Sequence, residues 1–154
     1  MNEPIDLRDF VDGGNGISTV RTSLVFGGDN FRGWNGIKYK AGLSEKNTNA
    51  SKLSMNVATV GPGAIAYAHI HDDFELMLYI LEGRVRHIYG DSLEHKIDNQ
   101  AGDFIYIEPG IPHEVYNLSK TEPVVAVVAR SDASEWQNII PHPSEARERD
   151  GVHD

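Results

Sequence analysis

At 154 residues the chain is long enough to bury one core, and it carries no cysteine, which excludes disulfides, thiolate nucleophiles and sulfur ligands together. Its formal charge of −9 leaves no basic footprint for nucleic acid or an anionic membrane. No apolar run approaches the ~18 residues of a membrane span, and the N-terminus is acidic and polar, so a cytoplasmic protein is expected.

The flank 1–50 reads as irregular, with one or two accessory strands. Pro4 to Val11 predicts one helical turn, broken by Gly13-Gly14-Asn15-Gly16. Gly27-Gly28-Asp29-Asn30 and Gly33-Trp34-Asn35-Gly36 bracket loops before a strand at Ile37 to Leu43. From 51 to 130 short strands and turns alternate. Leu53 to Val60 switches between apolar and polar at period two and stops at Gly61-Pro62-Gly63. Ala64 to Ile70 follows. Glu75 to Leu81 is apolar on both faces after its first residue, as in a strand buried between two sheets. Glu82-Gly83 turns into Arg84 to Tyr89, and Gly90-Asp91 turns into Leu93 to Ile97. Phe104 to Ile107, His113 to Asn117 and Val124 to Ala129 complete the set. This spacing predicts an all-β sandwich or barrel in a single domain. In 131–154, Asp132 is expected to cap a short helix through Trp136, and Pro141 to Asp154 to form a frayed tail.

His69-Ile70-His71 places two imidazoles two residues apart. In a strand such residues share a face, about 6.6 Å apart, so both rings can lean toward one ion. With no sulfur in the chain, any metal must be held by nitrogen and oxygen. His87 and His95 alternate with charged neighbours and read as surface residues; His142 and His153 fall in the tail. Arg84, Arg86 and Arg130 read as solvated strand ends, though each could meet a carboxylate or phosphate. Tyr67 shares parity with the histidine pair and is a candidate cavity residue, as are Met55 and Tyr106.

The wider run is Gly63, five residues, His69, one, His71, three, Glu75, seven, Gly83. Gly102, Pro109-Gly110, Pro112-His113 and Asn117 follow in similar register. This pattern resembles the two signature motifs of the cupin superfamily, and is most similar to small single-domain cupins, some labelled predicted sugar-phosphate isomerases. The resemblance covers roughly 60–130. It implies an antiparallel double-stranded β-helix, the cupin or jelly-roll barrel, over 51–130. His69, His71 and His113 would then be ligands of a divalent ion (Fe2+, Mn2+, Zn2+ or Ni2+), with Glu75 as a fourth ligand and catalytic proton acceptor. Gly63, Gly83, Gly102 and Gly110 match turn glycines, and Asn117 matches a structural asparagine. Glu75 departs from the motif: seven rather than six residues separate it from Gly83, which puts Leu76 at the ligand position when counted backwards. A metal-dependent enzyme on a small oxygenated metabolite is implied, a dioxygenase first. An isomerase or lyase of a sugar or keto acid, or a non-catalytic binding module, is the alternative. Metal affinity is expected to fall below about pH 6.5, the ordinary histidine value. Members of the superfamily commonly dimerise, so a homodimer is expected.

Overall fold

The computed structural model describes residues 31–134 and 137–153; the expected helical turn at 4–11, the glycine loop at 27–30 and Trp136 lie outside them. Eleven strands and one short helix follow in order: β1 (Phe31–Trp34), β2 (Ile37–Leu43), β3 (Ser54–Val60), β4 (Ile65–His71), β5 (Leu76–Glu82), β6 (Arg84–Tyr89), β7 (His95–Gln100), β8 (Phe104–Ile107), β9 (His113–Asn117), β10 (Val124–Arg130), β11 (Ile139–Pro141) and α1 (Glu145–Arg149). They form two antiparallel sheets, ordered β1-β2-β3-β10-β5-β8 and β11-β4-β9-β6-β7, whose apolar inner faces meet. This is the expected double-stranded β-helix. Among the described residues no helix is long and apolar enough to cross a membrane.

Turn chemistry sets the corners. Asn35 and Gly36 have φ of 51° and 79°, the left-handed pair that closes a two-residue hairpin, so Trp34 pairs with Ile37 and β1 joins β2 directly. At Gly83 φ is 87°, and a Cβ would lie 2.4 Å from the Pro123 carbonyl oxygen, so only glycine fits between β5 and β6. Asn117 holds the other end as expected: its amide donates to the carbonyls of Val60, Gly61 and Glu122, and its Oδ1 accepts from Ser119 N–H.

Two bulges decide which side chains point inward. Between β5 and β10, Val125 faces Glu82 and Ala126 faces Ile80, so Leu81 is an inserted residue. Leu76 and Ile80 are consequently buried, whereas Met77 is 56% exposed. Between β4 and β9, Ala66 pairs with Val115 and His69 with His113, so Tyr67 and Ala68 together stand opposite Glu114. Parity changes there: Ala66, His69 and His71 are buried, and Tyr67 turns out.

β3 inverts its own pattern. The period-two alternation is present, but its polar set, Ser54 and Asn56, is buried while Leu53 and Met55 are exposed. Register against β10 causes this, because Ser54 pairs with Arg130 and Asn56 with Val128, and Ser54 Oγ donates to the Ser134 carbonyl.

The C-terminal stretch is ordered rather than frayed. β11 pairs with β4, and α1 is capped by Ser144, whose Oγ accepts from Arg147 N–H. Ser144 Oγ also donates to Glu114, a carboxylate only 2% exposed, which accepts from Tyr116 OH and Ala68 N–H as well. Few large apolar groups are needed when a buried carboxylate gathers three donors. The expected helix after Asp132 is a series of bends over 131–134, where Asp132 accepts from both the N–H and the hydroxyl of Ser134.

Candidate metal centre and cavity

The three predicted histidines meet. One nitrogen from each of His69, His71 and His113 lies within 4.8 Å of the others, and all three residues are buried. Ring centroids stand 5.0, 4.3 and 4.6 Å apart. The bulge in β4 aims the first two inward, and buried Pro112 leads into the third at the start of β9. Trp34 meets His69 edge-on at 5.3 Å, and Phe74 stacks on His71 at 4.9 Å.

Hydrogen bonds fix the tautomers. His69 Nδ1 lies 2.8 Å from the Tyr67 carbonyl, and His113 Nδ1 lies 2.9 Å from that of Ile111. A carbonyl only accepts, so both Nδ1 atoms carry the proton and both Nε2 lone pairs are left for an ion. Burial lowers the proton affinity of the set. His69 falls to about 3, through burial first and the neighbouring His113 second; His113 falls to about 4 by burial; His71 is lowered further, by burial and then by His113. Three buried, neutral imidazoles, with His71 Nδ1 lacking a hydrogen-bond partner, make a donor set that fits a divalent ion.

Glu75 is not brought to this cluster. It precedes β5 on the exposed side, where its Oε1 accepts from Tyr106 OH at 2.9 Å, and Leu76 occupies the inward position. The bulge at Leu81 explains it, since counting back from Gly83 across an inserted residue turns Glu75 outward. Glu75→Gln is therefore expected to leave metal content unchanged, measured by elemental analysis against the unaltered protein.

The cluster opens into a cavity of about 70 Å³ between the sheets. Its walls are largely aliphatic, including Leu76, Leu78, Ile80, Ile105, Val124 and Val128. None of the three expected cavity residues lines it. Tyr67 is turned out by the bulge and donates to Asp150, Met55 sits on the outer face of β3, and Tyr106 sits on the outer face of β8 beside Glu75. Four polar residues take their place. His87 is 5% exposed, and burial followed by the charge of His113 lowers it to about 4. Arg130, 3% exposed, lays its guanidinium carbon 4.1 Å over the Phe74 ring and donates to the Gln137 carbonyl. Asn56 and Tyr39 complete the polar wall, the Tyr39 phenol being pushed up by burial against the opposing charge of Arg130.

A sequence signal existed for two of these. Arg84 and Arg86 mark the outer face of β6, so His87 and Val85 share the inner one. Arg130 likewise continues the Val124, Ala126 and Val128 set. The surface reading holds for His95, which pairs with Glu94, and for Arg86, which grips Asp98 with two donors.

Residues 56–130 match the family described as Cupin domain. Over 56 residues the chain is 43% identical to quercetin 2,3-dioxygenase of Escherichia coli K12, a span of 35% of this chain and 23% of that protein. A solved oxalate decarboxylase superposes on 99% of the chain with a TM-score of 0.71 at 22% identity, and the match takes up 42% of it. A polyketide cyclase from Streptomyces resistomycificus gives a TM-score of 0.58 at 18% identity over 71% of this chain and 74% of its own. The chain thus spans less than half of the dioxygenase and of the decarboxylase. A matched segment, carried by two facing antiparallel sheets with the motif histidines turned inward, establishes that residues 56–130 of this chain form a cupin domain.

Proposed function

We propose that this chain is a metal-dependent enzyme acting on a small oxygenated metabolite, with dioxygenase chemistry as the leading reading. One observation carries it: three buried imidazoles, already neutral, converge on one wall of a largely apolar cavity. A divalent ion held by His69, His71 and His113 would supply Lewis acidity and open coordination positions, and Fe2+ is the ion on which the dioxygenase reading rests. The protein's own contributions are distinct from that. Tyr67 and Ile111 carbonyls hold two rings in one orientation, the aliphatic walls exclude water, and Arg130 faces the site with a permanent positive charge.

The isomerase or lyase alternative needs a protein base beside the substrate. Among the described residues no carboxylate lines the cavity, and His87 is lowered too far to be a strong base near neutrality. Oxidative chemistry makes no such demand. The segment similar to the bacterial dioxygenase supports the same choice. A cytoplasmic homodimer remains part of this reading, in keeping with the exposed Met77, Phe104 and Tyr106 on the outer face of β5 and β8.

The test is a dioxygen-uptake screen of Fe2+-loaded protein across diketones, catechols and hydroxy acids. Uptake that depends on both substrate and metal is the expected result. Turnover by the metal-free protein would eliminate the reading.

A further inference from the structure

The hairpin that joins β1 to β2 reaches the ion cluster from outside the matched segment 56–130. Its tip is seated on β4. A Cβ on Gly36 would lie 1.9 Å from the Ile65 carbonyl oxygen, so glycine lets the turn settle against the start of that strand. Trp34, just before the turn, meets the His69 ring edge-on at 5.3 Å. The side chain of Asn35 is thereby delivered to residues 67–69.

The Asn35 amide has a defined orientation. Its Oδ1 accepts from Arg147 Nη2 at 3.2 Å, and its Nδ2 donates to the Tyr67 carbonyl at 2.6 Å. A guanidinium only donates and a carbonyl only accepts, so turning the amide round would lose both bonds. The Tyr67 carbonyl is also the acceptor for His69 Nδ1–H, at 2.8 Å. Asn35 Nδ2 and His69 Nδ1 therefore stand 3.3 Å apart as two donors sharing one oxygen.

That oxygen belongs to the bulge of β4, where Tyr67 and Ala68 together face Glu114, outside one-to-one pairing. Side chains hold the peptide there. The Tyr67–Ala68 unit has its carbonyl bound by Asn35 and its N–H bound by the Glu114 carboxylate, 32 and 46 positions away. Where the carbonyl sits decides how the His69 ring is turned, because the Nδ1–H bond fixes the ring's rotation.

We propose that Asn35 is a positioning residue of the metal centre: by holding the Tyr67 carbonyl it keeps the His69 ring turned with Nε2 toward the ion. This rests on the metal-site reading above and adds to it a residue of the N-terminal flank. His113 is held separately, by the Ile111 carbonyl, and serves as an internal reference.

Asn35→Gly tests it, since glycine suits the left-handed turn and removes only the amide. In Zn2+-loaded protein followed by nuclear magnetic resonance, His69 Nδ1–H is expected to exchange with solvent about tenfold faster than in the unaltered chain. His113 Nδ1–H should exchange as before. Zn2+ affinity, measured by competition with a chromophoric chelator, is expected to fall about tenfold. Asn35→Asp keeps the turn and the Arg147 contact but removes the Nδ2 donor. It should move the His69 Nδ1–H resonance and leave that of His113 in place. Unchanged His69 exchange and Zn2+ affinity in Asn35→Gly would overturn the proposal. So would equal acceleration at both rings, the mark of general loosening, or an Asn35→Asp resonance identical to that of the unaltered chain. Those results leave the metal site standing, whereas unaltered protein that retains no Zn2+ on gel filtration fails the metal reading and this role with it.

Discussion

His113→Ala protein is expected to emerge from purification with less than about a tenth of the metal held by the unaltered chain, and to show no metal-dependent turnover. The magnitude follows from geometry. His113 pairs with His69 across β4 and β9, and its ring sits 4.3 and 4.6 Å from the other two, so its removal opens one face of the cluster. Two imidazoles, with no carboxylate in reach among the described residues, form a poor site. Loss even of a supporting hydrogen bond costs about 10- to 100-fold in affinity in metalloproteins, and loss of a ligand costs more. His69→Ala should behave alike. His95→Ala, which alters an exposed imidazole beside Glu94, serves as the control that must keep its metal. Elemental analysis after gel filtration, read together with circular dichroism to verify folding, decides the matter. Full occupancy in His113→Ala would mean that the ion sits elsewhere.

Metal-free protein should lose stability steeply as pH falls from about 6.5 toward 4. Four buried imidazoles are responsible. His69 is lowered to about 3, His87 and His113 to about 4, and His71 further, in every case with burial as the leading cause. In the unfolded chain each returns to about 6.5. Across that window the unfolded state therefore binds protons that the folded state refuses, and stability falls with pH. Each proton is worth about 1.4 kcal/mol per pH unit, so the four together remove several kcal/mol, a large part of what a domain of this size possesses. Urea unfolding at half-unit pH steps in the presence of chelator measures it directly. A flat midpoint between pH 7 and pH 4.5 would contradict buried neutral imidazoles. The same shifts revise the pH range of metal retention, because protons compete for these rings only near pH 4 rather than from about 6.5 downward.

The strands and the His69–His71 pair could be read from local signals, whereas the jelly-roll barrel and His113 as a third ligand were implied only by the resemblance to the cupin motifs. Glycine turns, short strands and an alternate-residue imidazole pair are all visible within a few positions. What was hidden depends on register between strands distant in sequence. The insertion at Leu81 decides whether Glu75 or Leu76 points inward, and both faces of β5 are apolar, so nothing local arbitrates. The bulge opposite Glu114 similarly separates Tyr67 from His69 although they sit two apart. On β3 the apolar set is exposed because the inner wall at that end is polar, shared by Ser54, Asn56 and Arg130. The C-terminal stretch looked frayed because its anchor, Glu114, lies some thirty positions upstream.

That anchor ties the outside of the barrel to its interior. His113 and Glu114 are neighbours on one strand, the former pointing at the ion cluster and the latter at Ser144 and Tyr116. Residue 68, immediately before His69, gives its N–H to Glu114 and its carbonyl to Arg147 and to the His142 N–H. The peptide carrying one ligand is thus clamped from outside by the segment that carries α1. Loosening the clamp changes no donor atom, so its signature at the centre is a faster off-rate for the ion with coordination spectra left intact.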